Sequence, residues 1–328
     1  MKKLLSAGLC LSMFLLAGCQ GQPQDTTLTI TDQAGREVTF EEPCQTAASG
    51  YYITTTIMIG LQQQDKLTGI EMKPETRPIY AKAAEEILDL PQLGNKKMFN
   101  VEECAKSDPD VVFLPVSLVS YVEELEALDI PVVLLEPETA DDFEEAVEII
   151  GKVMGCEDKV DEYKQYEEDL LEKYELDEVE EEPTVYFAGS DLLTCATDDM
   201  YQGEILSYAQ ADNAIDAEGS SWVNIDIETL LAANPDYVFI EAGSLSADDF
   251  KNDARVQELQ AVQNDHVYVF PSTLETWDTP SLSSCLGKLW AASILHPELV
   301  SMDDVEAESV AFYEQFYGFT PEAQDLAL

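Results

Sequence analysis

Positive charge is what this 328-residue chain has least of: 17 lysines and arginines stand against 66 aspartates and glutamates, a formal net charge of -49. Such a surface repels nucleic acid and anionic lipid headgroups, which removes both as partners of the folded body. Arginine is limited to Arg36, Arg77 and Arg255, and histidine to His266 and His296. Two imidazoles are too few for the multi-histidine sites that hold bare zinc or manganese. The chain has no Cys-x-x-Cys pair, no Gly-x-Ser-x-Gly, no Gly-x-Gly-x-x-Gly, no phosphate loop and no His-Glu-x-x-His. The usual signatures of metal sites, nucleophile elbows and nucleotide binding are therefore missing, and nothing points to an enzyme. Beyond the N-terminus no apolar run approaches the length of a membrane helix. What is present is 45% apolar and 9% aromatic residues, enough for substantial cores in about two domains.

The N-terminus reads Met1-Lys2-Lys3, then a mostly apolar stretch from Leu4 to Ala17, then Gly18-Cys19. A charged start, an apolar block and small residues before a cysteine make an export signal. Leu16-Ala17-Gly18-Cys19 resembles a bacterial lipobox, so residues 1–18 are expected to be removed and Cys19 lipidated. Stable anchoring takes more than one acyl chain, and residues 19–26, polar after the cysteine, form the tether. The folded body is thus expected to be extracytoplasmic, anchored by lipid to the outer face of the cytoplasmic membrane. Removal of Lys2 and Lys3 leaves 15 basic residues. Of the remaining cysteines, Cys44, Cys104, Cys156, Cys195 and Cys285, an odd number, at least one is free. Cys104, Cys156 and Cys285 fall in helical patterns, as small apolar residues do.

Asn100-Val-Glu-Glu-Cys-Ala-Lys-Ser-Asp-Pro-Asp-Val-Val-Phe-Leu114 recurs 126 residues later as Asp226-Ile-Glu-Thr-Leu-Leu-Ala-Ala-Asn-Pro-Asp-Tyr-Val-Phe-Ile240. Each copy opens on a helix-capping residue and carries a carboxylate two positions on, where the helix start favours negative charge. The proline of Asp108-Pro109-Asp110 and Asn234-Pro235-Asp236 cannot continue a helix, and the apolar run after it predicts a buried parallel strand. Two equivalent α/β lobes follow. Open α/β sheets bind ligands beyond their strand ends, so function is sought in the cleft between lobes.

Residues 27–140 are assigned to the first lobe, opening with a hairpin of Leu28–Asp32 and Glu37–Phe40 around Gln33-Ala-Gly-Arg36. Residues 141–174 carry apolar stripes at helical spacing, Phe143, Val147, Ile150 and Met154 and then Val160, Tyr163, Leu170 and Tyr174. They predict one long connecting helix, interrupted at Gly155. Residues 175–328 form the second lobe, with strands at Thr184–Ala188, Tyr237–Ile240 and Val267–Phe270. The acidic run from Asp177 to Glu182 is a solvated face. A single helical crossing implies modest closure.

Ile30-Thr-Asp-Gln-Ala-Gly-Arg-Glu-Val38, the two Asn/Asp-Pro-Asp strands, Ala261-Val-Gln-Asn-Asp-His-Val-Tyr268, Trp277-Asp-Thr-Pro-Ser281 and Phe312-Tyr-Glu-Gln-Phe-Tyr-Gly318 resemble the substrate-binding lipoproteins of ABC importers for iron–siderophore, haem and cobalamin. The resemblance spans essentially the whole mature chain. It implies two Rossmann-like lobes joined by one long helix, a monomer that binds a metal chelate and hands it to a permease driven by an ATPase. Cargo is captured and released unaltered, with no cofactor of the protein's own. The family docks through a glutamate on each lobe. Glu204 matches that position in the second lobe, whereas the first lobe has Thr54.

Aromatic side chains offer large, stiff faces for a bulky chelate. Tyr51, Tyr52, Tyr201, Trp222 and Trp277 are therefore the expected pocket walls. Tyrosine oxygens also suit ferric iron, a hard cation. Arg36 lies in the hairpin and Arg255 in a polar helical stretch. That leaves Arg77 to clamp an anion bidentately, assisted by Lys96 and Lys97. So few cations favour a neutral or weakly charged cargo, an iron–siderophore or a corrinoid, with haem or an oxyanion as alternatives and a cleft enzyme as a more distant one. His266, in a strand-entry turn, and His296, at a helix end, are expected to be structural.

Overall fold

The computed structural model describes residues 27–328 except 177, 178, 180, 218 and 220. The export signal, Cys19 and the tether lie outside the described residues. Leu28–Thr31 and Glu37–Phe40 form the antiparallel hairpin, with Ile30 opposite Val38. Arg36, at its turn, is used up by Asp32, at 3.0 Å, and by Glu126.

Each copy of the repeat folds as helix, left-handed cap, strand. In the first, the Asn100 side chain accepts the Glu103 N–H at 3.1 Å, the helix runs Val101–Ser107, and Asp108 (φ +52°) ends it before the strand Val111–Pro115. In the second, Asp226 accepts the Thr229 N–H at 2.8 Å, the helix runs Ile227–Ala233, and Asn234 (φ +44°) precedes Tyr237–Ile240. Asp and Asn tolerate this left-handed conformation better than other side-chain-bearing residues. The aspartate after each proline clamps the start of the neighbouring strand. Asp110 Oδ2 accepts the Gln45 and Thr46 N–H groups at 2.8 and 2.9 Å, while the Asp110 N–H donates to Thr46 Oγ1 at 3.0 Å. Asp236 Oδ2 accepts the Thr184 N–H and hydroxyl at 3.0 and 2.8 Å, and its N–H donates to Thr184 Oγ1 at 3.1 Å. The clamped strands, Ala47–Ser49 and Thr184–Ala188, run parallel to the repeat strands beside them.

Two separate sheets result. The first is all parallel, in the order Leu67–Gly69, Ala47–Ser49, Val111–Pro115, Val132–Leu135. The second has a parallel centre of Thr184–Ala188, Tyr237–Ile240 and Val267–Val269, with Asp212–Asn213 parallel and Thr194–Cys195 antiparallel to its first strand. This is an α/β fold with two sheet-centred lobes.

The expected long connecting helix is two helices. Ala140–Met154 ends at Gly155, whose φ of +64° is left-handed, and Glu157–Lys173 then runs for 17 residues. At 1.5 Å per residue the second helix is about 25 Å long, enough to span from one lobe to the next. The lobes are also sealed behind the cleft. One apolar core extends from Ile30 through Ile57 and Val160 to Phe312 and Leu326, and Lys82 of the first lobe pairs with Asp325 near the C-terminus at 2.9 Å. Packing of this kind opposes wide hinging. All five described cysteines are buried free thiols; burial raises the Cys44 and Cys104 thiols to about 12. His296 Nε2 lies 2.9 Å from the Ala209 carbonyl, and His266 stacks on Tyr237 with ring centroids 4.4 Å apart. Among the described residues no helix is long and apolar enough to cross a membrane.

Candidate functional site

The strand ends of the first lobe build a cavity of about 340 Å³ lined by Tyr51, Tyr52, Glu71, Arg77, Lys96 and Lys97. Its organising group is Glu71, 5% exposed, at the end of the strand Leu67–Gly69. The carboxylate accepts the Tyr80 hydroxyl and the Thr55 hydroxyl, each at 2.7 Å, and Arg77 Nε lies 3.3 Å from its Oε1. A buried charge needs several such partners to offset its lost hydration. Glu71 and the Tyr52 ring together hold Arg77, whose guanidinium carbon sits 4.0 Å from that ring's centroid in a cation–π contact. The side chain keeps 34% of its surface exposed.

Lys96 and Lys97 arrive on a tight hairpin of Gly94–Asn95 and Met98–Phe99. Gly94 has φ +145°, and a Cβ there would meet the Met98 carbonyl oxygen at 2.1 Å, so only glycine fits. The Asn95 side chain accepts the Lys97 N–H at 2.8 Å, which fixes the turn. The Lys96 ammonium then lies 4.8 Å from the Tyr51 ring centroid and 3.6 Å from Glu138. Burial drives the Tyr51 phenol up. It does the same to Tyr52, with Arg77 opposing and the carboxylates of Glu138, Asp278 and Glu241 adding to the rise. Both phenols are neutral at ordinary pH and can act as hydrogen-bond donors.

Arg77 and Tyr52 also line a second space, of about 120 Å³, between the lobes; across it stand Leu274, Glu275 and Thr279. The second lobe's wall is acidic. Asp278 is 0% exposed and its Oδ2 accepts the Ala242 N–H at 2.9 Å. Burial raises its carboxyl to about 7, and Glu241 adds to the rise. Burial likewise raises Glu275 to about 7, against the pull of the Ser283, Tyr317 and Tyr313 hydroxyls. Among the described residues no three His, Cys, Asp or Glu side chains gather to hold a metal ion.

The structure thus brings together Tyr51, Tyr52, Arg77, Lys96 and Lys97. It does not bring the other aromatics to them. Trp277 is 2% exposed, and its indole N–H donates to the Tyr313 hydroxyl at 3.1 Å. Its backbone presses onto Gly287, where a Cβ would lie 2.1 Å from the Trp277 oxygen; close packing, not ligand, accounts for this tryptophan. Tyr201 is buried too, donating to Ser284 Oγ at 2.6 Å on a helix that faces the connecting helix. Trp222 is half-buried over Gly189 at a strand end of the second lobe and lines neither cavity. Glu204 is exposed in the first turn of the helix Tyr201–Tyr208, whereas Thr54 is 1% exposed. Glu71 and Glu275 carry no sequence signal that sets them apart from the other carboxylates; Asp278 falls in the Trp277-Asp-Thr-Pro-Ser281 segment, which does not by itself mark it as buried. The spacing that makes them a site exists only in the fold.

The strand-end cleft has its counterpart among known proteins. Residues 48–274, about two thirds of the chain, match the family described as periplasmic binding protein. The chain belongs to the periplasmic binding protein family. The molybdate-binding protein MolA of Haemophilus influenzae is 23% identical over 317 residues, covering 88% of this chain and 90% of its own. Its molybdate-bound structure superimposes with a TM-score of 0.77 at 22% identity, over 90% of this chain and 99% of MolA. A periplasmic solute binding protein of Veillonella parvula gives a TM-score of 0.79 at 21% identity, covering 91% and 95% of the two chains. CeuE of Helicobacter pylori, in a Ni-His complex, gives 0.72 at 18%, covering 91% and 97%. As a periplasmic binding protein, this chain is an extracytoplasmic solute-binding component of an ABC transporter, and its homologues work with a permease and an ATPase.

Proposed function

We propose that the cargo of this importer component is a small anion, either an oxyanion or a compact carboxylate-bearing metal chelate, gripped by Arg77. The observation that carries this is the setting of that guanidinium. Glu71 and Tyr52 orient it from behind, it borders both cavities, and Lys96 and Lys97 flank it in a chain otherwise dominated by carboxylates. A planar fork of donors held in place beforehand suits an oxyanion or carboxylate, because its geometry need not be ordered on binding. Size points the same way. About 340 Å³ lies at the lower end of ordinary ligand pockets, which suits such a ligand better than a corrinoid or a large ferric siderophore. Molybdate in MolA and the Ni-His complex of CeuE are cargoes of this scale.

In the same proposal Cys19 carries the lipid and Glu204 meets the permease. The mature chain works as a monomer and releases its cargo chemically unchanged. Calorimetric titration with molybdate, sulfate, nickel–histidine, a ferric hydroxamate and cobalamin tests the cargo. At least one of the small anions is expected to bind, and Arg77→Ala to weaken it by roughly 30-fold or more, the loss typical of truncating one member of a buried charge pair. Binding of cobalamin or the ferric hydroxamate alone, or binding indifferent to Arg77→Ala, would overturn the proposal.

A further inference from the structure

The wall of the first lobe's cavity holds more hydrogen-bond donors than it can use. Tyr51 is 2% exposed and Tyr52 partly buried, and neither hydroxyl has a hydrogen-bond partner among the described residues. The unpartnered side-chain oxygens sealed inside the fold belong instead to Thr54, Gln64, Glu275 and Asp278. The two phenol oxygens are not sealed, and the surface they keep opens on the cavity of about 340 Å³ that both residues line. Arg77 meets Glu71 through Nε at 3.3 Å, which leaves its Nη groups without an acceptor among the described residues. Lys96 has Glu138 at 3.6 Å, too long for a hydrogen bond, and the Lys97 ammonium has no partner among the described residues.

The acceptors on the same wall are already taken. Glu71 receives the Tyr80 and Thr55 hydroxyls as well as Arg77, and Asn95 Oδ1 receives the Lys97 N–H. The carbonyls of Tyr51 and Tyr52 receive the Ser49 and Thr56 hydroxyls at 2.8 and 3.1 Å. Glu136 and Glu138, the next carboxylates, do not line the cavity. A ligand seated here therefore meets O–H and N–H groups and no side-chain acceptor that is free. An unmade hydrogen bond in an enclosed site leaves the cost of desolvation uncompensated. Hydrogen phosphate carries a P–O–H donor, which would point at other donors; sulfate and molybdate carry none.

We propose that this cavity selects tetrahedral oxyanions that carry no proton, with the Tyr51 and Tyr52 hydroxyls as neutral donors beside Arg77, and rejects hydrogen phosphate and hydrogen arsenate. The inference rests on the anion-binding function proposed above and narrows it. The hydroxyls add donors without adding charge, so two dianions of equal size are told apart by proton content alone.

The test titrates the mature chain calorimetrically at pH 8, where sulfate, molybdate, monofluorophosphate, hydrogen phosphate and hydrogen arsenate are all tetrahedral dianions. Sulfate and monofluorophosphate are matched in size to hydrogen phosphate, and molybdate to hydrogen arsenate. In whichever size binds, the proton-free anion is expected to bind roughly tenfold or more tightly than its protonated match, the scale of one unsatisfied polar group. Tyr51→Phe and Tyr52→Phe keep the rings, and each is expected to weaken that anion by roughly tenfold, as loss of a hydrogen bond to a charged group does. Should a variant fail to fold, the matched pairs on the parent chain decide. If a protonated anion binds within about threefold of its match, or if either Phe variant binds as the parent does, the selection inference falls, while the anion site stands as long as Arg77→Ala weakens binding. If nickel–histidine binds and no oxyanion does, this inference again falls alone. If no anion binds the parent, both fall.

Discussion

The two lobes share a frame and differ in what they hold up. In both, a seven-residue helix starts on a side-chain cap and ends on a left-handed Asp or Asn, and an aspartate pins a threonine at the foot of the next strand. These devices are local and repeat because they need only a few neighbours in sequence. The cleft walls do not repeat. In the first lobe the buried carboxylate, Glu71, has Tyr80, Thr55 and Arg77 as partners. In the second, Glu275 and Asp278 each keep one oxygen without a partner among the described residues. Equal scaffolds with unlike walls separate the function of holding two sheets apart from that of choosing what sits between them, and only the second depends on the loops at the strand ends.

The largest expected break in that comparison comes from Asp278. Its carboxyl is raised to about 7 in the folded protein, against about 4 for the unfolded chain. Between those values the folded state keeps a proton that the unfolded state has lost, so stability from this group is greatest below about pH 4 and declines as pH rises to about 7. Asp278→Asn keeps an acceptor for the Ala242 N–H and cannot ionise. Its stability relative to the parent should therefore increase from pH 4 to 7, by on the order of 4 kcal/mol, and level off above. Urea denaturation of both proteins at several pH values measures the gap; a gap that does not change with pH would show the carboxyl to be solvated after all.

A smaller effect tests the likeness of the lobes. Asp110→Ala and Asp236→Ala each delete a carboxylate oxygen that accepts two hydrogen bonds. Because both clamps lie near the surface, each should cost about 1 kcal/mol. The two losses should agree within a few tenths and add in the double variant, since the clamps belong to separate sheets. One silent aspartate would mean that the repeated sequence does not perform the same task twice.

Much of this frame was legible in the sequence. The two Asn/Asp-Pro-Asp segments announced a cap, a stop and a strand, and the hairpin around Arg36 and the break at Gly155 carried their own turn chemistry. Arg77 could be reached by elimination: Arg36 sits in the hairpin as expected, while Arg255, read as part of a polar helical stretch, lies instead in a turn, paired with Asp253. The aromatics were not legible in this way. A tryptophan's size indicates that it packs, not on which side of a loop it does so. Trp277 turned inward because Gly287 lets its backbone lie flat on the helix Ser284–Leu295. Glu71 and Glu275 were hidden among 66 acidic residues, and Asp278, though inside a segment of the family resemblance, is set apart as a wall residue only by its burial.

The least effect belongs to the position where the family resemblance expects the lobes to match and they do not. Glu204 stands exposed on its helix, whereas Thr54, its counterpart, is 1% exposed within the helix Tyr52–Gly60, its hydroxyl without a hydrogen-bond partner among the described residues. A side chain in that setting belongs to the core and offers no surface carboxylate for the docking contact that the resemblance implies. Thr54→Val replaces the orphan hydroxyl by a methyl group of similar shape, and removing an unsatisfied buried polar group is neutral to stabilising. Valine and threonine have about the same helix propensity, so that term is close to neutral. The variant should gain about 0.5 kcal/mol in thermal or urea unfolding and bind cargo as the parent does. A loss of stability instead would mean that the hydroxyl is satisfied, by water or by a carbonyl one turn back, and that this helix turn is built around threonine rather than merely tolerating it.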